Sequence, residues 1–252
     1  MDAASAFSFD MTYCGPPPAA AELWGRWNFD PFLIIALVAG GLAVALHLRQ
    51  AGRGRLLALA AAWCGLVILF VSPLCALTVA LFSARVTHHV LLTMLVAPLL
   101  VLAIGPGRTS GREGLLPPLA LSTALFWLWH MPPIYAAALS DPLVYWLMQL
   151  SLLGASIWLW RGLFFARSAM AAGFTALSSA MQMGLLGSLL VFAPNPLYWP
   201  HLATTAAFGL TPLGDQQLAG LVMWVPANLP LLALVLWRLV DMLHAGREST
   251  AR

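Results

Sequence analysis

The chain is 252 residues long, 61% hydrophobic and 8% charged, against roughly 25% charged residues in an ordinary soluble domain, so water is excluded as its main solvent. The formal charge of +3 comes from twelve basic residues that are all arginine and are scattered at the ends of apolar runs; they mark topology and make no nucleic-acid surface. Three cysteines, Cys14, Cys64 and Cys75, form no CxxC pair or zinc spacing and allow at most one disulfide.

Residues 1–30 make a tail that carries Asp2, Asp10, Glu22 and Asp30. The tail has no basic start followed by a short apolar core, so no cleavable signal peptide is expected. A spanning helix needs about 20 mostly apolar residues. Stretches of that kind run roughly from Pro31 to Leu48, Leu56 to Phe82, Val86 to Ile104, Leu115 to Leu139, Pro142 to Phe165, Ala169 to Ala193 and Gln217 to Leu243. Residues 244–252 form a second tail. The expected fold is an all-α, polytopic membrane bundle of about seven helices over residues 31–243. Pro73, Pro98, Pro132, Pro133 and Pro226 each remove a backbone donor and are expected to bend their helices. Gly40, Gly41, Gly184, Gly187 and Gly220 would let helices approach closely.

Ten arginines, at 49, 53, 55, 108, 112, 161, 167, 238, 247 and 252, fall on one side of this arrangement, and Arg26 and Arg85 on the other. The positive-inside rule then places the N-terminus outside and the C-terminus in the cytoplasm, as an odd number of spans requires. Asp2, Asp10, Glu22, Asp30, Asp141 and Asp215 come to the outer side, with the long connection from Pro194 to Gln216.

Four of the six histidines share that outer side: His88 and His89 at the start of the third span, His130 near the end of the fourth, and His201 in the long connection. His47 and His244 sit at cytoplasmic ends as interfacial polar residues. Consecutive side chains on a helix diverge by about 100 degrees, so His88 and His89 cannot both face lipid, and Arg85 shares a surface with both. The ordinary reading of that pair, an interfacial polar cluster, has equal standing. His130 lies in an aromatic segment, Trp127 to Tyr135, where a surface belt is expected, but Met131, Pro132 and Pro133 fix its backbone in a way that a belt does not explain. Imidazoles together with thioethers suit Cu(I). Met94 lies five residues, about 7.5 Å, deeper than His89; Met131 adjoins His130; Met223 shares a stripe with Gln216 and Gly220. Most of the ten methionines are core filler. Gln149 and Gln182 are expected to join helices by hydrogen bonds. No phosphate loop, nucleophile elbow or zinc-protease helix is present, so a non-enzyme is expected.

Ser72-Pro73-Leu74, then Phe82-Ser83-Ala84 and His89 to Leu92 with Pro98, resemble the CtaG-type membrane proteins, a family of cytochrome c oxidase assembly factors. Two further blocks agree: Trp129 to Tyr135, and Asp215 to Gly220 followed by Met223 to Pro226. The resemblance runs from the first span to the last. It implies a seven-span protein of the bacterial plasma membrane that helps mature a haem-copper oxidase by copper delivery or insertion, with an oxidase subunit, membrane lipid and an outer-side copper donor protein as partners. Members of the family often carry His in place of Arg85 and Gln in place of His88, so the pair of histidines four apart is broken here. The matching positions are His89, His130, Met131, Asp215, Gln216 and Met223, to which His88 is added as a local candidate ligand.

The expected site is thus a Cu(I) pocket of His88, His89, His130, Met131 and Met223, with Arg85, Asp215 and Gln216 orienting ligands or partner. A metal-free scaffold for oxidase assembly, a copper transporter with Ser178, Met181, Gln182 and Met183 at mid-depth, and a haem-binding bundle are the alternatives.

Overall fold

The computed structural model describes residues 8, 9, 11–106 and 114–250, with side chains through Met242; these residues form helices and no strand. Asp2, Asp10, Arg108, Arg112 and Arg252, and the side chains of His244 and Arg247, lie outside the described residues. The helices are α1 Pro31–His47, α2 Arg53–Phe70, α3 Leu74–Ala80, α4 Phe82–Leu91, α5 Ala97–Ile104, α6 Leu116–Trp129, α7 Pro132–Ser140, α8 Pro142–Phe165, α9 Ala169–Phe192, α10 Pro212–Trp224 and α11 Leu229–Thr250.

Several starts follow a local rule. Asp30, Asp141 and Thr211 each precede a proline, and each turns a side-chain oxygen back onto the first free N–H groups of α1, α8 and α10. Proline at the first helical position lacks a donor that would have no partner there anyway. Pro31, Pro142 and Pro212 therefore mark where helices begin.

Proline also breaks four of the expected runs more sharply than a bend. The second stops at Phe70 and resumes at Leu74 beyond Pro73. The fourth stops at Trp129 and resumes at Pro132, because Pro132 pushes Met131 into an extended conformation. The seventh begins earlier than expected, at Pro212, which puts Asp215 and Gln216 on a helix and out of the long connection; it is then interrupted by a 3-10 turn at Pro226–Asn228. In the third, α4 passes into α5 through a π-turn, Leu92–Val96. Pro98 offers no N–H to the carbonyl four residues earlier and crowds that turn, and one wider turn absorbs the mismatch.

Five helical stretches are long and apolar enough to cross a bilayer: Arg53–Phe70, Phe82–Ile104, Pro142–Phe165, Ala169–Phe192 and Pro212–Met242. α1, with 17 residues, and α6, with 14, are apolar but shorter. The outward faces of the bundle carry Phe32, Leu42, Leu147, Phe174, Leu189 and Leu236, all exposed. So much outward apolar surface fits hydrocarbon and does not fit water.

Polar groups hold the two ends. Arg55 donates from Nε to the carbonyl of Ala103 at 2.7 Å and from Nη2 to that of Ile104, and Arg238 donates from Nη2 to the carbonyls of Leu163 and Phe164 at 2.6 and 2.5 Å. These arginines satisfy the last carbonyls of α5 and α8, which no helix can satisfy by itself. At the opposite end, a disulfide joins Cys14 to Cys75, fastening the N-terminal segment to α3. α9 lies against α10 and α11, and backbone meets backbone at Gly187 and Gly220. A Cβ on Gly220 would sit 2.6 Å from the carbonyl oxygen of Gly187, and one on Gly187 2.8 Å from that of Gly220. Gly184 has only ordinary contacts, its nearest at 3.6 Å.

Gly220→Ala is expected to lower the thermal unfolding temperature of the detergent-solubilised protein, at a cost of about 1–3 kcal/mol typical of overpacking. Gly173→Ala, where a Cβ meets nothing within 4 Å, should leave it unchanged or raise it slightly.

Candidate functional site

α4 starts badly for a helix. Leu81 stands at its N-cap and offers no side-chain oxygen. The missing cap comes from Asp215 on α10, which accepts from the N–H of Phe82 at 2.7 Å, from the N–H of Ser83 at 3.2 Å, and from the hydroxyl of Ser83. A carboxylate at a helix N-terminus satisfies free donors and complements the helix dipole. Asp215 thereby fixes the rotation of the helix that carries Arg85, His88 and His89.

The two adjacent histidines part ways. His88 is fully buried beside α2: its Nε2–H donates to the carbonyl of Leu69 at 3.2 Å, its ring stands edge-on to Phe70, and its Nδ1 has no partner among the described residues. His89 faces a cavity between α4, α6, α8, α9 and α10, with its Nε2 buried and unpartnered. His130 enters the same cavity from the end of α6, where the chain leaves the helix. Its Nδ1–H donates to the carbonyl of Phe126 at 2.7 Å, which leaves the lone pair on Nε2. The His89 and His130 rings lie 6.4 Å apart. One ion bound to a nitrogen of each, at about 2 Å per bond, would close that gap with a small side-chain movement.

Met223, Met183 and Met94 line this cavity too, with the hydroxyls of Thr93, Ser122, Ser156 and Ser179 and the amide of Gln182. The room for water-sized guests is about 50 Å³. Gln182 accepts from the indole N–H of Trp127 at 3.0 Å and so joins α9 to α6; Gln149 meets Tyr145 on its own helix and joins no other helix by a side-chain hydrogen bond among the described residues. Met131 is 50% exposed and does not line the cavity, and neither do His88 and Arg85. The break at Pro132 that turns His130 inward turns Met131 outward.

The connection 193–211 closes over this end. Gln216 accepts from the N–H of Leu197 at 2.6 Å and donates to the carbonyl of Leu190 at 3.2 Å. Tyr198 donates its hydroxyl to the backbone carbonyl of His130 at 2.8 Å and stacks on Phe82. His201 is buried away from the cavity; its Nδ1–H donates to the carbonyl of Ala80, and its Nε2 accepts from the hydroxyl of Tyr135 at 2.6 Å. Burial holds the His201 ring down to about 3, with the Ala80 bond opposing and the charge of Arg85 reinforcing it. His201 is therefore a neutral, structural histidine.

Arg85 is also buried, at 2% exposure, with its guanidinium 5.2 Å over the ring of Tyr145. The expectation that it shares a face with both histidine rings is met only in that all three are inside the bundle, His88 beside α2 and His89 in the cavity. Met183, which lines the cavity, and Tyr198, which holds the carbonyl of His130, join the site without having been singled out for it. Met183 lies two residues from Met181, which is 75% exposed, and only the facing of α9 separates the two.

A family model described as cytochrome c oxidase caa3 assembly factor (Caa3_CtaG) matches residues 116–245, just over half of the chain. The matched part holds His130, Asp215, Gln216 and Met223; Arg85, His88 and His89 precede it. No curated protein and no solved structure matches the chain.

Asp215→Ala is expected to destabilise the protein by about 1–3 kcal/mol, the usual result of stranding buried donors, measured by thermal unfolding. For His201, the folded value of about 3 lies below the unfolded value of about 6.5. Between them the unfolded chain binds a proton that the folded one does not, so stability is full above about 6.5 and is lost as pH falls toward 3. The unfolding temperature of the wild type should fall through that window, with a shallower slope in His201→Gln.

Proposed function

Because the chain belongs to the cytochrome c oxidase caa3 assembly factor family, we propose that it serves the building of that oxidase by holding Cu(I) in the cavity of His89 and His130. The observation that carries this reading is the donor set. The unpartnered Nε2 of His89, the imidazole of His130 with its Nδ1 engaged by Phe126, and three thioethers meet in one small cavity lined by no carboxylate. Among the described residues no three His, Cys, Asp or Glu side chains gather into a group able to hold a metal ion. Zinc is held by such groups, whereas imidazole with thioether selects Cu(I). His89, His130 and Met223 would hold the ion, with Met94 and Met183 in reach. His88, with Nε2 engaged by Leu69, serves as packing beside it. Met131, exposed next to His130, would receive the ion from an outer-side donor protein, and an oxidase subunit would take it onward.

The same reading has seven spans, counting α1 and counting α6 with α7, with residues 1–30 outside the bacterial plasma membrane and residues 244–252 in the cytoplasm. The Cys14–Cys75 disulfide supports this orientation, since disulfides persist on the oxidising side of a membrane, while Arg55 and Arg238 cap helices at the other end. Toward the arginine end the core is Val101, Leu163, Ala176 and Leu231, an apolar plug that favours holding copper over conducting it.

Competition of the detergent-purified protein with a chromophoric Cu(I) chelator tests the proposal. One Cu(I) per chain is expected, weakened at least about tenfold, or 1.4 kcal/mol, in His89→Ala and in His130→Ala, with Met131→Leu close to wild type. A folded wild type that binds no Cu(I) would instead support the metal-free scaffold, in which His130→Ala leaves oxidase assembly intact.

A further inference from the structure

We propose that Arg85 holds a small monovalent anion, of halide size, inside the end of the bundle that carries Asp30, Asp141 and Asp215. An arginine keeps its charge when buried, and a buried charge without a partner is costly. Arg85 is 2% exposed, and its Nε and Nη1 have no hydrogen-bond partner among the described residues. The ring of Tyr145 lies against the guanidinium and the hydroxyls of Tyr135 and Tyr145 stand beside it as neutral partners, but none of these supplies a negative charge.

The carboxylates of that end accept from helix N–H groups and not from Nε or Nη1 of Arg85. Asp30 accepts from the N–H groups of Phe32 and Leu33, Asp141 from those of Leu143 and Val144, and Asp215 from Phe82 and Ser83. Glu22 is exposed on the 3-10 turn Ala20–Gly25. A second helix brings another amide. Gln149, one turn along α8 from Tyr145 and so on its face, is 1% exposed, and its side chain meets Tyr145 but makes no close hydrogen bond among the described residues. Its Nε2 would supply a further donor to the anion. Gln149 Oε1 and His88 Nδ1 are acceptors, which a water beside the anion would satisfy.

The surroundings select for size and charge. Tyr13 stacks on Tyr145, Phe70 stacks on Trp146, and the Cys14–Cys75 disulfide fastens the N-terminal segment above them. At 2% exposure Arg85 is out of reach of a lipid headgroup or a partner's side chain, and a single guanidinium balances a single negative charge. Neither Arg85 nor Gln149 lines the copper cavity, so the inference stands whether or not copper is bound there.

Thermal unfolding of the detergent-purified full chain, in chloride or bromide against gluconate at equal ionic strength, provides the test. The expected result is a saturable rise of a few degrees in the halides, lost in Arg85→Gln and reduced in Gln149→Leu. Should Arg85→Gln fail to fold, the halide titration of the wild type and of Gln149→Leu still decides. A wild type indifferent to halide, or an Arg85→Gln variant with the same response, overturns the proposal. So does a halide response that appears only in Asp10→Asn, because the chain's own tail would then supply the counter-charge.

Discussion

Asp215 on α10 receives the two backbone N–H groups and the hydroxyl at the start of α4, a helix whose own N-cap is a leucine. This contact joins residues more than 130 apart in the chain and is buried from water, where charge-assisted hydrogen bonds are strong. The rotation of α4 about its axis depends on it. That rotation sends His89 into the cavity, His88 toward Leu69 and Arg85 over Tyr145. Gln216, the next residue on α10, pins the connection that closes this end of the bundle, and Met223, two turns further along α10, lines the cavity floor. One short helix thus orders the histidines, the cover and a thioether together.

A cation inside an apolar bundle loses its hydration, and the ligands must replace it. Soft, neutral donors do this for Cu(I) without bringing in a carboxylate that would itself need a partner. The acidic residues of this end are used for capping instead, Asp30 on α1, Asp141 on α8 and Asp215 on α4. The chain belongs to an oxidase assembly family, and the proposed copper role joins that setting to the donor set. Tyr198, holding the carbonyl of His130, fixes the backbone from which that imidazole enters the cavity.

Much of the architecture is legible in the sequence because it depends on local rules. Apolar runs of spanning length and arginines at one set of ends can each be read without knowing what lies across the bundle. The breaks at Pro73, Pro132 and Pro226 are legible as bends and prove to be interruptions, since each proline also disturbs the residue before it. The start of α10 is misplaced by the same rules because Asp215 and Gln216 are polar enough to pass for loop, and only their partners on α4 and the connection explain why they are buried.

Read alone, the chain is legible as an all-helical membrane bundle with helices starting at Pro31, Pro142 and Ala169 and with residue types suited to soft-metal chemistry, because hydropathy, proline geometry and ligand softness belong to single residues and their neighbours. The tertiary structure decided which of them meet. His89, His130, Met223 and Met183 share one space, whereas Met131 and Met181 face outward and His201 is locked between Tyr135 and Ala80. Facing is a property of helix rotation, and rotation is set by contacts between residues far apart in the chain: Asp215 with Phe82, Gly187 with Gly220, Arg238 with Leu163. No local pattern encodes those pairings.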